Sequence, residues 1–192
     1  MRIHLVRHGI DHLDDRGVRR LSPQGAEQML RSASTLSSCL PVVLMTSSLR
    51  RARESAEVVS AVLGVPASID NRLDEIRTVL TRGSMPPRER RGTNTRARPD
   101  ESWPDFVDRA SSFLDEMVLS GNAEIVAITH SGIFDAIFEK VTGTSEVELL
   151  VDNAAISVWH HRADHPAGSW LLEQHNSSGH LSSTCHLNKE IR

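Results

Sequence analysis

Three short segments of the chain contain arginine, histidine or hydroxyl side chains in close succession. They are R-H-G at residues 7–9, T-S-S-L-R-R at residues 46–51 and T-H-S-G at residues 129–132. A phosphoryl group in transfer spreads its charge over three equatorial oxygens, so catalysis requires several fixed cationic donors around it and a nucleophile in line with the leaving oxygen. Two arginines and two histidines meet that requirement, although each such residue taken singly is more often a hydrogen-bonded surface or core residue than a catalyst.

Each of these segments ends a short apolar run or follows it directly. Residues 3–6, 42–45 and 124–129 have the length and composition of buried strands. Open parallel sheets bind ligands at the carboxyl ends of their strands, so the polar side chains converge if the three strands are parallel neighbours. The side chains expected at this edge of the sheet are those of Arg7, His8, Arg51 and His130.

Helical periodicity separates these strands. Ser22 and Pro23 predict a helix start, and Gly64 and Gly143 predict the ends of two later helices. Ser102 can cap the start of the longest helix. The apolar face expected for the first helix consists of Ala26, Met29, Leu30, Ala33 and Leu36.

Strands that alternate with helices predict an α/β protein. A further strand is predicted at residues 67–69, and residues 154–159 and 170–173 predict a closing hairpin. We therefore expect a three-layer α/β/α sandwich with a mainly parallel central sheet and an antiparallel edge. The 192 residues fit a single domain over residues 1–181, followed by a polar tail at residues 182–192.

The composition excludes several classes of partner and location. Lys and Arg total 22 against 25 Asp and Glu, and a net charge of -3 predicts neither nucleic-acid nor membrane binding. Cys39 and Cys185 cannot form the framework of a disulfide-rich secreted domain, which favours a reducing compartment. Residues 1–10 lack the apolar stretch of an export signal, and no run reaches the about 18 apolar residues of a membrane span. We expect a soluble cytoplasmic protein, and a homodimer is compatible with this sequence.

Four motifs together resemble the histidine phosphatase (phosphoglycerate mutase-like) superfamily in order and in spacing. They are R-H-G at residues 7–9, S-S-L-R-R-A-R-E-S-A-E at residues 47–57, L-D-E at residues 73–75 and T-H-S-G at residues 129–132. Shorter similarities extend the resemblance over nearly the whole chain; they are L-S-P-Q-G at residues 21–25, E-S-W at residues 101–103, N-A-A-I-S-V at residues 153–158 and N-S-S-G-H-L at residues 176–181. The resemblance implies a phosphoglycerate mutase-like fold.

The resemblance also implies roles for five residues. His8 is the implied nucleophile, Glu75 the implied proton donor, and Arg7, Arg51 and His130 hold the phosphoryl oxygens, with His130 counted among the catalytic residues. Physical chemistry supports these roles, because His8 attacks only when neutral and neighbouring arginines disfavour its protonation. A carboxylic acid such as Glu75 can protonate a leaving alkoxide and, once ionised, activate water. The implied ligand is a small phosphorylated substrate, with no cofactor and no metal.

Simpler interpretations of the same residues stay open at this point. Glu75 can form an ion pair with Arg72 or Arg77, and Arg50 can face the site in place of Arg51, although the S-x-L-x-R spacing favours Arg51. Ser47 and Ser48 lack the G-x-S-x-G context of a nucleophilic serine. A metal site is a weaker alternative, because its histidines lack a helical H-E-x-x-H context; they are His160, His161 and His165.

The segment after Gly9 departs from the family pattern. The family often has Glu or Gln after R-H-G and an Asn shortly beyond it that contacts the phosphate, whereas Ile10 and Asp11 follow here. Asp14 or Asp15 at the Asn position would repel a phosphate unless the carboxyl group is protonated or turned away. Ser131 stands where the family commonly has glycine.

Residues 77–101 are rich in arginine and poor in apolar periodicity. This segment fits either a substrate lid or an exposed surface loop, and the candidate lid residues are Arg77, Arg82 and Arg88. The leading hypothesis for the function is a phosphomonoesterase. The alternatives are a phosphoglycerate-type mutase and a non-catalytic module that binds a phosphorylated ligand.

Overall fold

A computed structural model describes residues 1–39, 41, 43–76, 101–163 and 169–182 of the chain. The sheet contains strands β1 (Arg2–Arg7), β4 (Val43–Thr46), β5 (Ala67–Ile69), β6 (Glu124–Thr129), β7 (Ile156–His161) and β8 (Trp170–Ser177). A separate hairpin contains β2 (Asp11–Leu13) and β3 (Arg19–Leu21). The helices are α1 (Pro23–Leu36), α2 (Arg50–Leu63), α3 (Trp103–Ser120) and α4 (Ser131–Thr142), and short 3-10 turns lie at Ser37–Cys39, Asn71–Leu73 and Gly179–Leu181.

The order of the strands is β5-β4-β6-β1-β7-β8. Strands β5, β4, β6 and β1 run parallel, and β7 and β8 add an antiparallel edge. Thr46 of β4 pairs with Ile128 of β6, and Arg7 of β1 pairs with Thr129 of the same strand. The carboxyl ends of these three strands therefore lie side by side, as the sequence predicts.

Side chains that alternate along the strands fill two hydrophobic cores, one on each face of the sheet. Ile3 and Leu5 of β1 contribute to the core under α3 and α4, whereas Val6 faces the core under α1 and α2. Two buried faces on a mainly parallel sheet confirm the predicted three-layer α/β/α architecture. In the described ranges, no helix is long and apolar enough to cross a membrane.

The predicted helix boundaries agree with the structure. The Ser22 hydroxyl accepts a hydrogen bond from the Gly25 amide at the start of α1, and Ser102 caps α3 in the same way through Asp105. Gly64 and Gly143 end α2 and α4 with positive φ angles of 69° and 73°, a conformation that glycine adopts without steric cost.

Several local predictions are wrong. Leu30 is 48% exposed and lies outside the buried face of α1. Ser32, which is not part of the predicted apolar face, is buried there instead. The closing hairpin begins at Ile156, because Ala154 has a positive φ of 60° that no strand residue adopts. Strand β8 continues to Ser177, four residues past its predicted end at residue 173.

Two predicted segments lie outside the described residues. They are residues 77–100 of the arginine-rich segment, with Arg77, Arg82 and Arg88, and residues 183–192 of the polar tail. The division into one domain at residues 1–181 and a tail stays a prediction, although β1 pairs with β7 and so places both ends of that range in one sheet.

Two glycines allow the segment after β1 to lie against the start of α1. A Cβ atom on Gly25 would overlap the carbonyl oxygen of Ile10, and one on Gly9 would lie 2.5 Å from the carbonyl oxygen of Gly25. The Ser22 hydroxyl also donates a 2.8 Å hydrogen bond to the Ile10 carbonyl. This close packing fixes the backbone that immediately follows His8.

We predict that Gly25→Ala lowers the free energy of unfolding by about 1–3 kcal/mol, because the added methyl group must displace backbone rather than a flexible side chain. The matched control is Gly179→Ala, since a Cβ at Gly179 has no neighbour within 4 Å. Urea unfolding of both variants and the wild type tests this prediction. Equal stability of the two variants would contradict the close packing of Gly25.

Candidate active site

The guanidinium group of Arg51 joins two histidines at the carboxyl edge of the sheet. Its Nε donates a 3.0 Å hydrogen bond to Nε2 of His8, and its Nη2 donates a 3.1 Å hydrogen bond to Nδ1 of His130. The centroids of the two imidazole rings are 5.0 Å apart. Side chains that follow β1, β4 and β6 therefore meet at one point.

Hydrogen bonds determine the tautomer of His8. Its Nδ1 lies 2.8 Å from the carbonyl oxygen of Gly9, which can only accept, so Nδ1 carries the proton. Nε2 then has a free lone pair, which accepts the hydrogen bond from Arg51. Burial and, secondarily, the charge of Arg51 lower the pKa of His8 to about 3. His8 is therefore a neutral imidazole whose nucleophilic nitrogen faces the cationic group.

His130 is oriented by a chain of hydrogen bonds that reaches into the protein. Its Nε2 donates to the hydroxyl of Ser47 at 2.8 Å, and that hydroxyl donates to Asp74 at 2.8 Å. Asp74 also accepts hydrogen bonds from the amide and the hydroxyl of Ser48. Burial, followed by the charge of Arg51, lowers the pKa of His130 well below its ordinary value. Ser47 and Ser48 thus act as positioning residues in this arrangement.

Arg7 is held by the loop that precedes β7. Its Nη1 donates a 2.5 Å hydrogen bond to the Val151 carbonyl, while its buried Nε has no partner among the described residues. Asn153 in the same loop donates from Nδ2 to the His8 carbonyl at 3.0 Å, and the Ala154 amide donates to the Arg7 carbonyl at 3.0 Å. The loop therefore supports both residues at the end of β1.

The carboxyl-terminal part of the described chain holds this loop in place. Asn176, at a positive φ of 50°, accepts a hydrogen bond from the Asp152 amide and donates one to its carboxylate. The hydroxyl of Ser32 in α1 donates to the Ala154 carbonyl at 2.8 Å and contacts Nε2 of His180 at 3.0 Å. These contacts tie the loop before β7 to α1 and to the residues that follow β7.

Glu75 has a half-buried side chain near the two arginines. Its Oε1 accepts from the Ile76 amide at 3.1 Å and its Oε2 from the Gly132 amide at 3.4 Å. Burial raises the pKa of Glu75, although these amides and the charges of Arg51 and Arg7 oppose the increase. A raised pKa favours the protonated carboxylic acid, which is the form that a proton donor requires.

The structure decides between several alternatives from the sequence. Arg72 pairs with Asp70 and Glu116 rather than with Glu75, while Arg77 lies outside the described residues. Arg50 pairs with Glu54 on the surface of α2, so Arg51 is the arginine of this pair that faces the histidines.

The carboxylate that faces the site from the segment after Gly9 is Asp11. Its Oδ2 lies 4.0 Å from Arg51 Nε and accepts a 3.0 Å hydrogen bond from Arg19. Asp14 is turned away and accepts hydrogen bonds from the amides of Arg16 and Val18. The sequence indicated Asp14 or Asp15 as the carboxylate near the phosphate, whereas Asp11 occupies that position. Asp11 is oriented by the β2–β3 hairpin, for which no pattern in the sequence was recognised.

Two histidines of the alternative metal site, His160 and His161, contact other side chains. Nδ1 of His160 lies 2.9 Å from a carboxylate oxygen of Glu173, and the ring of His161 packs on Trp170. His165 lies outside the described residues. In the part of the chain that the structure describes, no three His, Cys, Asp or Glu side chains are arranged to hold a metal ion.

This combination of fold and side chains defines the class of protein. The chain belongs to the histidine phosphatase superfamily, branch 1, whose family model matches residues 3–174. The predicted family and the predicted class of enzyme, a phosphatase, are confirmed.

Named relatives are phosphatases that act on different esters. The chain is 27% identical over 198 residues to the glucosyl-3-phosphoglycerate phosphatase of Mycolicibacterium vanbaalenii, with 85% of this chain and 86% of that protein covered. The solved structure of a mycobacterial glucosyl-3-phosphoglycerate phosphatase with inorganic phosphate has a TM-score of 0.74 at 22% identity, and covers 94% of this chain and 99% of its own. The α-ribazole phosphatase from Shigella flexneri has a TM-score of 0.73 at 20% identity, with 93% and 97% covered. These likenesses confirm the phosphoglycerate mutase-like fold.

We predict that the burial of neutral His8 makes the fold less stable in acid. Its folded pKa of about 3 lies below the ~6.5 of an unfolded histidine, so the unfolded chain binds the extra proton between these values. His8 therefore contributes a loss of up to about 1.4 kcal/mol per pH unit as the pH falls through this window. Urea unfolding between pH 7.5 and pH 4.5 should give a shallower decline for His8→Asn than for the wild type. Parallel declines would contradict the buried neutral state of His8.

Proposed function

We propose that this protein is a phosphomonoesterase that hydrolyses a small phosphorylated metabolite through a phosphohistidine intermediate on His8. The observation that carries this proposal is the state of His8, which is buried and neutral and has the Nε2 lone pair directed at Arg51. A neutral imidazole with its Nε2 lone pair at the ligand-binding edge of the sheet is the form that can attack phosphorus.

The first step is capture of the phosphoryl group between the two arginines. Arg51 exchanges its hydrogen bonds to the imidazoles for hydrogen bonds to phosphoryl oxygens, and the unpartnered Nε of Arg7 supplies a further donor. His130 accepts from Arg51 in the free enzyme and so orients the guanidinium. The negative charge of the ligand favours a proton on His130 Nδ1, and with that proton His130 donates directly to the phosphoryl group.

The second step is transfer of the phosphoryl group to His8. Nε2 attacks phosphorus while the bond from phosphorus to the ester oxygen breaks, and Glu75 gives its proton to the departing alkoxide. The imidazole becomes cationic when Nε2 is phosphorylated. The Gly9 carbonyl, which accepts from Nδ1–H at 2.8 Å, stabilises that charge.

Hydrolysis of the phosphohistidine completes the cycle. The Glu75 carboxylate takes a proton from water, the resulting hydroxide oxygen bonds to phosphorus, and the phosphorus–nitrogen bond breaks to regenerate neutral His8. The names of the relatives favour water over a second substrate as the acceptor, since they are phosphatases for glucosyl-3-phosphoglycerate and for α-ribazole phosphate esters. Both names also support a small phosphorylated metabolite as the substrate.

The proposal predicts a covalent phosphoenzyme that depends on His8. A brief incubation with p-nitrophenyl phosphate, an alkaline quench and intact-protein mass spectrometry should detect one added phosphoryl group in the wild type. His8→Asn should show no phosphorylation and no turnover, while the control His12→Asn at an exposed position should behave like the wild type. Turnover or labelling of His8→Asn would contradict the covalent mechanism.

Glu75→Gln should separate substrates by their leaving groups. The rate of His8 phosphorylation by an alkyl phosphate should fall by about 10²-fold or more, whereas an aryl phosphate should lose less, because a nitrophenolate departs without a proton. Rapid-quench measurements with both esters test this difference, and Arg72→Gln serves as a control that disturbs neighbouring ion pairs. Equal losses for both esters would remove Glu75 from the acid role.

A further inference from the structure

A carboxylate lies beside the donors of a site whose ligand is an anion. Asp11 is the first residue of β2, its side chain is 14% exposed, and its Oδ2 lies 4.0 Å from Arg51 Nε. That nitrogen is the one that donates to His8 Nε2. Asp11 and a phosphoryl group bound at His8 therefore lie beside the same guanidinium nitrogen.

The groups around Asp11 keep it ionised. Arg19 faces it from β3, Arg51 from α2, and His8 and Arg7 from the end of β1. Burial raises the pKa of Asp11, but the hydrogen bond from Arg19 and the charges of Arg19 and Arg51 outweigh burial and lower it. Phosphate monoesters change from the monoanion to the dianion near pH ~6, so Asp11 carries its charge throughout that transition.

We propose that Asp11 determines which ionic form of the phosphoryl group this site binds. The dianion has no proton to share with Asp11 and is repelled by it, whereas the P–OH group of the monoanion can donate a hydrogen bond to the carboxylate. Asp11 thus selects between the two forms by repelling the dianion and by accepting a hydrogen bond from the monoanion. This inference rests on the proposed phosphoryl site and adds a preference for the monoanionic ester.

The expected effect is moderate. The ionised carboxylate and a bound dianion repel each other, and the ion pair with Arg19 reduces that repulsion. We therefore expect Asp11 to weaken binding of the dianion by about tenfold relative to a neutral residue at the same position.

The test measures binding of methylphosphonate, which resembles a phosphate monoester but is not hydrolysed and loses its second proton near neutrality. Isothermal titration calorimetry between pH 5.5 and pH 8.5 compares the wild type with Asp11→Asn and Asp11→Ser. The control is Asp15→Asn, which makes the same change of charge at an exposed position of the same hairpin. Circular dichroism and thermal unfolding establish that each variant is folded.

The dissociation constants of the wild type and Asp11→Asn should be similar at pH 5.5, and at pH 8.5 the wild type should bind about tenfold more weakly. Asp11→Ser should follow Asp11→Asn, and Asp15→Asn should follow the wild type. A ratio that is constant over this pH range, or an equal effect of Asp15→Asn, would overturn the role of Asp11. Failure of every protein to bind methylphosphonate would instead overturn the proposed phosphoryl site, because the readout requires no turnover.

Discussion

The hydrogen bonds from Arg51 to His8 and His130 are the interaction on which the rest of the site depends. They require both imidazoles to present a lone pair to one guanidinium group, so both rings must be neutral and must carry their protons on the far nitrogen. The Gly9 carbonyl and the Ser47 hydroxyl satisfy those far nitrogens. Loss of either support would permit the other tautomer of that ring, in which the nitrogen beside Arg51 becomes a donor.

Burial of these ionisable side chains lowers the stability of the fold but shifts their pKa values toward the neutral forms. Removal from water lowers the pKa of His8 and of His130 and raises the pKa of Glu75, because in each case the charged form is the one that loses hydration. The same environment strengthens the interaction of the arginines with a bound anion. A neutral imidazole at His8 and a carboxyl group with a raised pKa at Glu75 therefore lie near two cationic side chains.

The backbone around the site is held by residues that never reach the reacting atoms. The loop before β7 contacts Arg7 and His8 through Val151 and Asn153, and Asn176 and Ser32 fix that loop. On the other side, Gly25 permits the close approach of α1 to the segment after His8. Residues from α1, from the loop before β7 and from the end of β8 thus all pack against or support the backbone at the end of β1.

The sequence by itself determined the order of the helices and of the strands in the main sheet, the helix caps and the segments that meet at the sheet edge, but it did not predict the β2–β3 hairpin. These features follow from local patterns, such as the apolar runs at residues 3–6 and 124–129 and the glycines that end α2 and α4. Tertiary structure alone decided that Asp74 is engaged by two serines and that Asp11 is the carboxylate beside the site. It also placed Arg51, which the S-x-L-x-R spacing already favoured over Arg50, against the histidines. Those choices depend on which atoms come within hydrogen-bonding distance after strands more than a hundred residues apart have paired. No local pattern of residues encodes that distance.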